Sequence, residues 1–157
     1  MKIVKGNLID MAFNGDFDVI IHGCNCQCRM KSGIAREIAE RIPEAVEADN
    51  ETSVGDASKL GGFTFAHALD DFGLPVFTVI NAYTQLRYGT DSRKVDYDAV
   101  RAVFRKVANR FGGGYIPFRI GYPKIGAGLA GGDWDIISKI IDEELEGLDH
   151  TLVEFDG

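Results

Sequence analysis

The 157-residue chain is short of paired cysteines, of basic charge and of long apolar runs. Its three cysteines, Cys24, Cys26 and Cys28, stand one residue apart. Neighbours at i and i+2 do not close a comfortable disulfide, and an odd count leaves one thiol over. The C-x-C-x-C run also departs from the usual C-x₂₋₄-C spacing of zinc sites, and no nearby His or Cys pair supplies the missing ligands. Reduced structural thiols are the plainer reading and a redox or metal role the alternative; neither a metal nor a cofactor is expected. Lys and Arg number 17 against 24 Asp and Glu, a formal net charge of −7. A surface of that sign repels phosphate backbones and argues against nucleic acid as a partner. The uncharged stretches are too short and too glycine-rich to span a bilayer, so no membrane is expected either. The first residues, Met1 to Gly6, read as a strand rather than a signal peptide, and the expectation is a cytoplasmic protein.

What the chain does have is an ordinary globular composition, with 45% hydrophobic and 26% charged residues. That suffices for one core, and the length fits one domain over residues 1–157. No feature fixes an oligomeric state, and a monomer is the simplest expectation.

Strand and helix periods alternate along the sequence. Lys2–Lys5 and the apolar run Asp18–His22 read as strands, the second of the buried kind. Ile34, Ile38 and Ile42 then recur every four residues, an amphipathic helix that Pro43 ends or follows with a new turn. Phe63–His67 and Val76–Asn81 read as strands. Val100, Val103, Phe104, Val107 and Phe111 mark a helix that starts near Asp96 and stops at Gly112. A strand is expected at Ile116–Ile120, although Pro117 blurs its limits. Asp133 caps a helix with Ile136, Ile137, Ile140, Ile141 and Leu145 on its apolar face, and Thr151–Phe155 supplies a last strand. Alternating strands and helices without repeats or a linker predict one layered α/β domain with helices on both sheet faces.

Ligands of open α/β sheets bind beyond the carboxyl ends of strands. Two such junctions are unusual in composition. The stretch Gly126-Ala127-Gly128-Leu129-Ala130-Gly131-Gly132 places four glycines directly before a helix. Glycine leaves backbone N–H groups exposed, and successive N–H groups with a helix N-terminus behind them seat an anion. It is neither a Walker A motif nor a clear G-x-G-x-x-G fingerprint, and a tight turn made for packing is the alternative. The other junction follows Ile21 as His22-Gly23-Cys24-Asn25. His22 reads as a satisfied core residue or as a proton-transfer group, since its unperturbed pKa suits neutral pH. Asn25 reads as a turn residue or as a group that orients a sugar hydroxyl. His67 and His150 have no motif around them.

Taken in order, His22-Gly23-Cys24-Asn25, a small-residue loop and helix, and Pro123-Lys124-Ile125-Gly126-Ala127-Gly128-Leu129 resemble a macrodomain. Lys5-Gly6-Asn7-Leu8 and Asn81-Ala82-Tyr83-Thr84-Gln85 are similar to bacteriophage-encoded members. The resemblance covers nearly the whole chain. It is strongest to the subgroup that contains ADP-ribose-1″-phosphate phosphatases and a terminal ADP-ribose glycohydrolase. It implies a three-layer α/β/α fold with a mixed sheet of about six strands, and ADP-ribose or a derivative as the partner. Implied ligand contacts are Asn7, Leu8 and Cys24; Lys31, Ser32, Gly33 and Ile34 of the first loop; and Ile125, Gly126, Ala127, Gly128, Leu129 and Ala130 around the diphosphate. Implied catalytic candidates are His22 beside a scissile phosphate, Asn25 on the distal ribose, and Asp133 polarising water.

Three departures from the family pattern bear on activity. Asn7 stands where many members carry an aspartate that accepts from the adenine amino group; its amide oxygen still accepts, through a weaker neutral bond. The glycohydrolase lysine has no counterpart near Thr84-Gln85, and Ala130 occupies the place of its aspartate, so a covalent lysine mechanism is disfavoured. Asp133, three residues further on, has a helix cap as its alternative role, and Lys31 in the altered first loop reaches either phosphate or solvent. The resemblance therefore implies a hydrolase acting on ADP-ribose 1″-phosphate or a related ester, or alternatively a non-catalytic module that reads or sequesters ADP-ribose.

Overall fold

The computed structural model describes residues 1–89 and 91–156. Six strands form one sheet: β1 (Lys2–Gly6), β2 (Val19–Asn25), β3 (Phe63–Leu69), β4 (Pro75–Gln85), β5 (Arg119–Tyr122) and β6 (Asp149–Phe155). Their order is β1-β6-β5-β2-β4-β3, parallel throughout except that β3 runs antiparallel to β4 at one edge. The sheet is mixed and six-stranded, with helices on both faces, as the sequence implied.

The central strands are apolar on both sides because both sides are covered. Along β2, Val19 and Ile21 join one cluster and Ile20 the other, the alternation that a pleated strand imposes. One face carries α4 (Tyr97–Phe111) and α5 (Trp134–Glu144), through Val100, Val103, Phe104, Val107, Ile137 and Ile141. The opposite face carries α1 (Leu8–Phe13), α2 (Gly33–Arg41) and α3 (Pro43–Asn50), through Leu8, Ile9, Ile38, Ile42 and Ala45. Three helix starts have side-chain caps: Asn7 Oδ1 accepts from Asp10 N–H, Asp96 from Ala99 N–H and Asp133 Oδ1 from Asp135 N–H.

Several limits differ from the sequence reading. The six residues of α1 are too few to show a helical period, and their one local signal is the Asn7 cap. Pro43 both closes α2 and opens α3, sitting at the first helical position, where its missing N–H costs nothing. The strand expected at Ile116–Ile120 begins only at Arg119, where Asp18 accepts from the Arg119 backbone N–H at 2.8 Å and from its guanidinium at 3.0 and 3.1 Å. Upstream, Pro117 has no N–H to offer a neighbouring strand, and residues 113–118 are exposed. β4 runs on past Asn81 to Gln85, which carries Tyr83 and Thr84 into the interior. Among the described residues no helix is long and apolar enough to cross a membrane.

Candidate functional site

β2 and β5 are hydrogen-bonded neighbours at the middle of the sheet, with Val19 opposite Ile120. Both are followed by loops at their carboxyl ends, so the two unusual junctions of the sequence emerge side by side. Between them lies a cavity of about 560 Å³. Its wall is built from Gly23, Cys24 and Asn25 at the end of β2, residues 29–35 leading into α2, and residues 123–126 and 128–130 after β5. Asp49, Gln85, Tyr88 and Gly89 complete it. A second cavity, about 580 Å³, opens at the carboxyl ends of β1 and β6 and is bordered by Asn7, Leu8, Glu37 and Phe155. Gly33, Ile34, Pro123 and Lys124 line both. The two spaces therefore meet along the first turn of α2.

Backbone amides dominate that meeting point. No acceptor among the described residues is found for the N–H groups of Gly126, Gly128, Leu129 and Ala130. All four residues line the first cavity, whereas Ala127, whose N–H donates to Lys124 C=O at 3.3 Å, does not. Across from them, α2 starts at Ser32 without a side-chain cap bond. The amides of Gly33, Ile34 and Ala35 thus add their own unpaired donors and the positive end of the helix. The arrangement suits an anion, and it works in an acidic protein because amide donors do not depend on net charge. Arg29, Lys31 and Lys124 add cationic side chains to the same wall.

The glycine stretch serves packing as well as exposure. Gly126 has φ +73°, and a Cβ there would stand 2.6 Å from Val95 Cγ2. At Gly128, by contrast, a Cβ would meet nothing within 4 Å. Ala130 C=O accepts from Lys94 N–H at 2.8 Å and Val95 N–H at 3.3 Å, which pins the loop onto the segment that leads into α4.

The sequence-derived residues fall into two groups. Lining a cavity are Asn7, Leu8, Cys24, Asn25, Lys31, Ser32, Gly33, Ile34, Ile125, Gly126, Gly128, Leu129 and Ala130. Outside the lining are His22, Ala127 and Asp133. His22 is fully buried, with Nε2 2.6 Å from Asn81 Oδ1. Asn81 Nδ2 donates to Ala45 C=O at 2.9 Å, so its oxygen accepts and His22 Nε2 carries the proton. Burial outweighs the Asn81 bond and pushes the imidazole down to about 4, leaving it neutral at physiological pH. Asp133 caps α5, and its backbone N–H donates to Tyr97 Oη at 3.0 Å. Asn25 lines the cavity but its amide also braces the loop: Nδ2 donates to Arg29 C=O and Oδ1 accepts from Gln27 N–H, both at 2.9 Å. Cys24 is held as a thiol, because burial and then the Asp49 charge push its pKa well up. Among the described residues no group of three or more His, Cys, Asp or Glu side chains is arranged to hold a metal.

Sequence reasoning missed Asp49, Gln85, Tyr88, Glu37 and Phe155. The Arg29 guanidinium lies 4.7 Å from the Tyr88 ring centroid, a cation–π contact joining two loops far apart in sequence. No local pattern points to that pairing. Asp49 has the acidic neighbours Glu44, Glu47 and Glu51, yet is itself 1% exposed.

Comparison with known proteins places this geometry. No family model matches the chain. It is 32% identical over 158 residues to an uncharacterised 17.5 kDa protein from the tk-vs intergenic region of enterobacteria phage T4, covering 99% of this chain and 97% of that protein. A protein of unknown function from Bacteroides thetaiotaomicron superposes with a TM-score of 0.79 at 25% identity, over 98% of this chain and 96% of that one. The macrodomain of Thermus aquaticus DarG matches with a TM-score of 0.72 at 20% identity, over 98% and 95%. DarTG of Thermosipho africanus, solved in complex with ADP-ribose, matches with a TM-score of 0.73 at 12% identity, over 97% of this chain and 40% of that one. The chain belongs to one family with the phage T4 protein, and its fold is that of the macrodomains.

Proposed function

We propose that this protein binds ADP-ribose across the two joined cavities. The observation that carries the reading is the shared wall. Gly33, Ile34, Pro123 and Lys124 border both spaces, and unpartnered amides from α2 and from the β5–α5 loop converge beside it. A ligand with a diphosphate in the middle and a sugar-bearing group at each end fits that layout. The adenosine end lies in the second cavity, where Leu8 and Phe155 offer apolar surface. There Asn7 Oδ1 keeps a lone pair for the adenine amino group after accepting from Asp10 N–H. The diphosphate lies against the amides, and the distal ribose enters the first cavity toward Asn25. The fold shared with DarTG, a protein solved with ADP-ribose, supports the same reading.

Isothermal titration calorimetry tests it. ADP-ribose is expected to bind at least tenfold more tightly than ATP, because only ADP-ribose places a ribose in the far cavity. Equal affinity for the two overturns the reading in favour of a general nucleotide site, and heat-free titration with both rejects it.

Hydrolysis of ADP-ribose 1″-phosphate or a related ADP-ribose ester is the second reading. The lining carboxylate of Asp49, which repels a phosphate, favours the ester over the 1″-phosphate as the substrate of such a reaction. Weighing against it, His22 and Asp133 are both outside the lining, and Asn25 does not titrate. Assays for phosphate release from the 1″-phosphate and for ADP-ribose release from an ester separate the readings. Binding without release of either product leaves a module that reads or sequesters ADP-ribose.

A further inference from the structure

The wall of the first cavity includes a carboxylate that the fold leaves half-used. Asp49, in the last turn of α3, is 1% exposed and lines the cavity wall. One of its oxygens, Oδ1, accepts from Tyr83 Oη at 2.7 Å. Oδ2 has no hydrogen bond among the described residues. It is also absent from the fully buried polar atoms without partners, of which Thr84 Oγ1 is the one found among those residues. Asp49 takes part in no ion pair among the described residues; Lys59 Nζ, 5.3 Å from the Tyr83 ring centroid, donates to Thr52 Oγ1 at 2.8 Å instead.

Behind Asp49 runs a chain of hydrogen bonds with one consistent direction. His22 Nε2–H donates to Asn81 Oδ1 at 2.6 Å, and Asn81 Nδ2 to Thr64 Oγ1 at 3.1 Å. Thr64 Oγ1 lies 3.0 Å from Tyr83 Oη, and Tyr83 Oη donates to Asp49 Oδ1. Successive donors of this kind polarise one another and fix the carboxylate in place. A carboxylate accepts hydrogen bonds and gives none, and it repels an anion at close range. The cavity wall thus carries two chemically distinct kinds of group, amides that seat phosphate and a fixed carboxylate that takes hydroxyl donors.

We infer that Asp49 is a specificity-determining residue that accepts a hydroxyl of the distal sugar and disfavours a phosphate at that end. The inference rests on the ADP-ribose reading above and sharpens it: the preferred ligand carries a neutral distal ribose rather than a 1″-phosphate. Tyr83 is a positioning residue that holds the carboxylate toward the cavity.

Calorimetry with ADP, ADP-ribose and ADP-ribose 1″-phosphate on the wild type, Asp49→Asn and Tyr83→Phe tests this. Asparagine keeps the shape and the bond from Tyr83 but removes the charge. Asp49→Asn is expected to weaken ADP-ribose about tenfold, leave ADP unchanged and tighten the 1″-phosphate form. Tyr83→Phe should weaken ADP-ribose about threefold, again with ADP unchanged. The ratio of ADP-ribose to ADP affinity is the deciding quantity, since a merely structural loss lowers both alike. An unchanged ratio in Asp49→Asn, or a wild type that prefers the 1″-phosphate, overturns the inference while leaving ADP-ribose binding intact. A wild type that binds neither ADP nor ADP-ribose removes the ADP-ribose reading and this inference together.

Discussion

The loop between β5 and α5 meets the cavity mainly with backbone, Lys124 apart, whereas the stretch from the end of β2 through α3 adds several polar side chains to the amides of α2. In the first, Gly126, Gly128, Leu129 and Ala130 present N–H groups, and none of the four has a polar side chain. In the second, Asn25, Arg29, Lys31 and Asp49 all reach the wall. The backbone loop recognises charge and tolerates the protein's acidic surface; the side-chain segment supplies donors and acceptors of distinct sign. On the proposed reading, both strand ends supply amides for the anion, while the polar side chains that read ligand identity come mostly from the β2 side, so the two properties should respond separately to mutation.

Gly126→Ala should have the largest effect. It forces a side chain into a positive-φ position and against Val95, with an expected loss of about 2–4 kcal/mol of stability in urea unfolding. ADP-ribose affinity should fall with it. A fully stable, fully binding variant would show that the backbone loop is not held as described.

Acid should act on the strand behind the side-chain segment. The unfolded chain protonates His22 near its ordinary value of 6.5, and the folded chain only near 4. Between those values the unfolded state binds more protons, so the His22 contribution lowers stability as pH drops from about 6.5 to 4. It is constant below that window, where Asp18 and Glu144, held low by Arg119 and Arg105, go on to lose theirs. The contribution of this one residue is on the order of 3 kcal/mol, and urea unfolding across the window measures it. A His22→Gln variant with the same slope would assign the loss to other groups.

Gly128→Leu makes the complementary test. A side chain there meets open space, so stability should stay within about 0.5 kcal/mol of wild type. The added bulk nevertheless stands at the amides, and ADP-ribose affinity is expected to drop about tenfold or more. Normal affinity would detach the glycine loop from the site. The smallest effect is expected at Asn7→Asp, which should bind ADP-ribose equally well or up to about tenfold more tightly through a charge-assisted bond. A large loss would move the adenine elsewhere.

The sequence revealed what depends on period and on local conformation. α4 and α5 were legible because five apolar positions each repeat at helical spacing, and the glycine loop because its composition has few other uses. The six-residue α1 was hidden by its brevity, and the start of β5 by the dependence of Arg119 on Asp18, a hundred residues away in the chain. The amides of the site were legible as a row of glycines, although Ala127 turned out to use its own N–H within the loop. Asp49 was not legible, because its hydrogen-bond partner Tyr83 stands on β4, far along the chain, and its acidic neighbours suggest solvent. His22 carried two readings in the sequence, and the partner that satisfies it in the interior, Asn81, is one that only the pairing of β2 with β4 supplies.

The central claim is that amides from two strand ends hold the diphosphate while a side-chain-lined cavity holds the distal ribose. Calorimetric titration of the wild type with ADP-ribose, ADP and ATP tests it most directly. The account predicts saturable one-to-one binding in the order ADP-ribose tighter than ADP, and ADP-ribose at least tenfold tighter than ATP. Binding of ATP as tight as that of ADP-ribose, or no binding of any of the three, contradicts it.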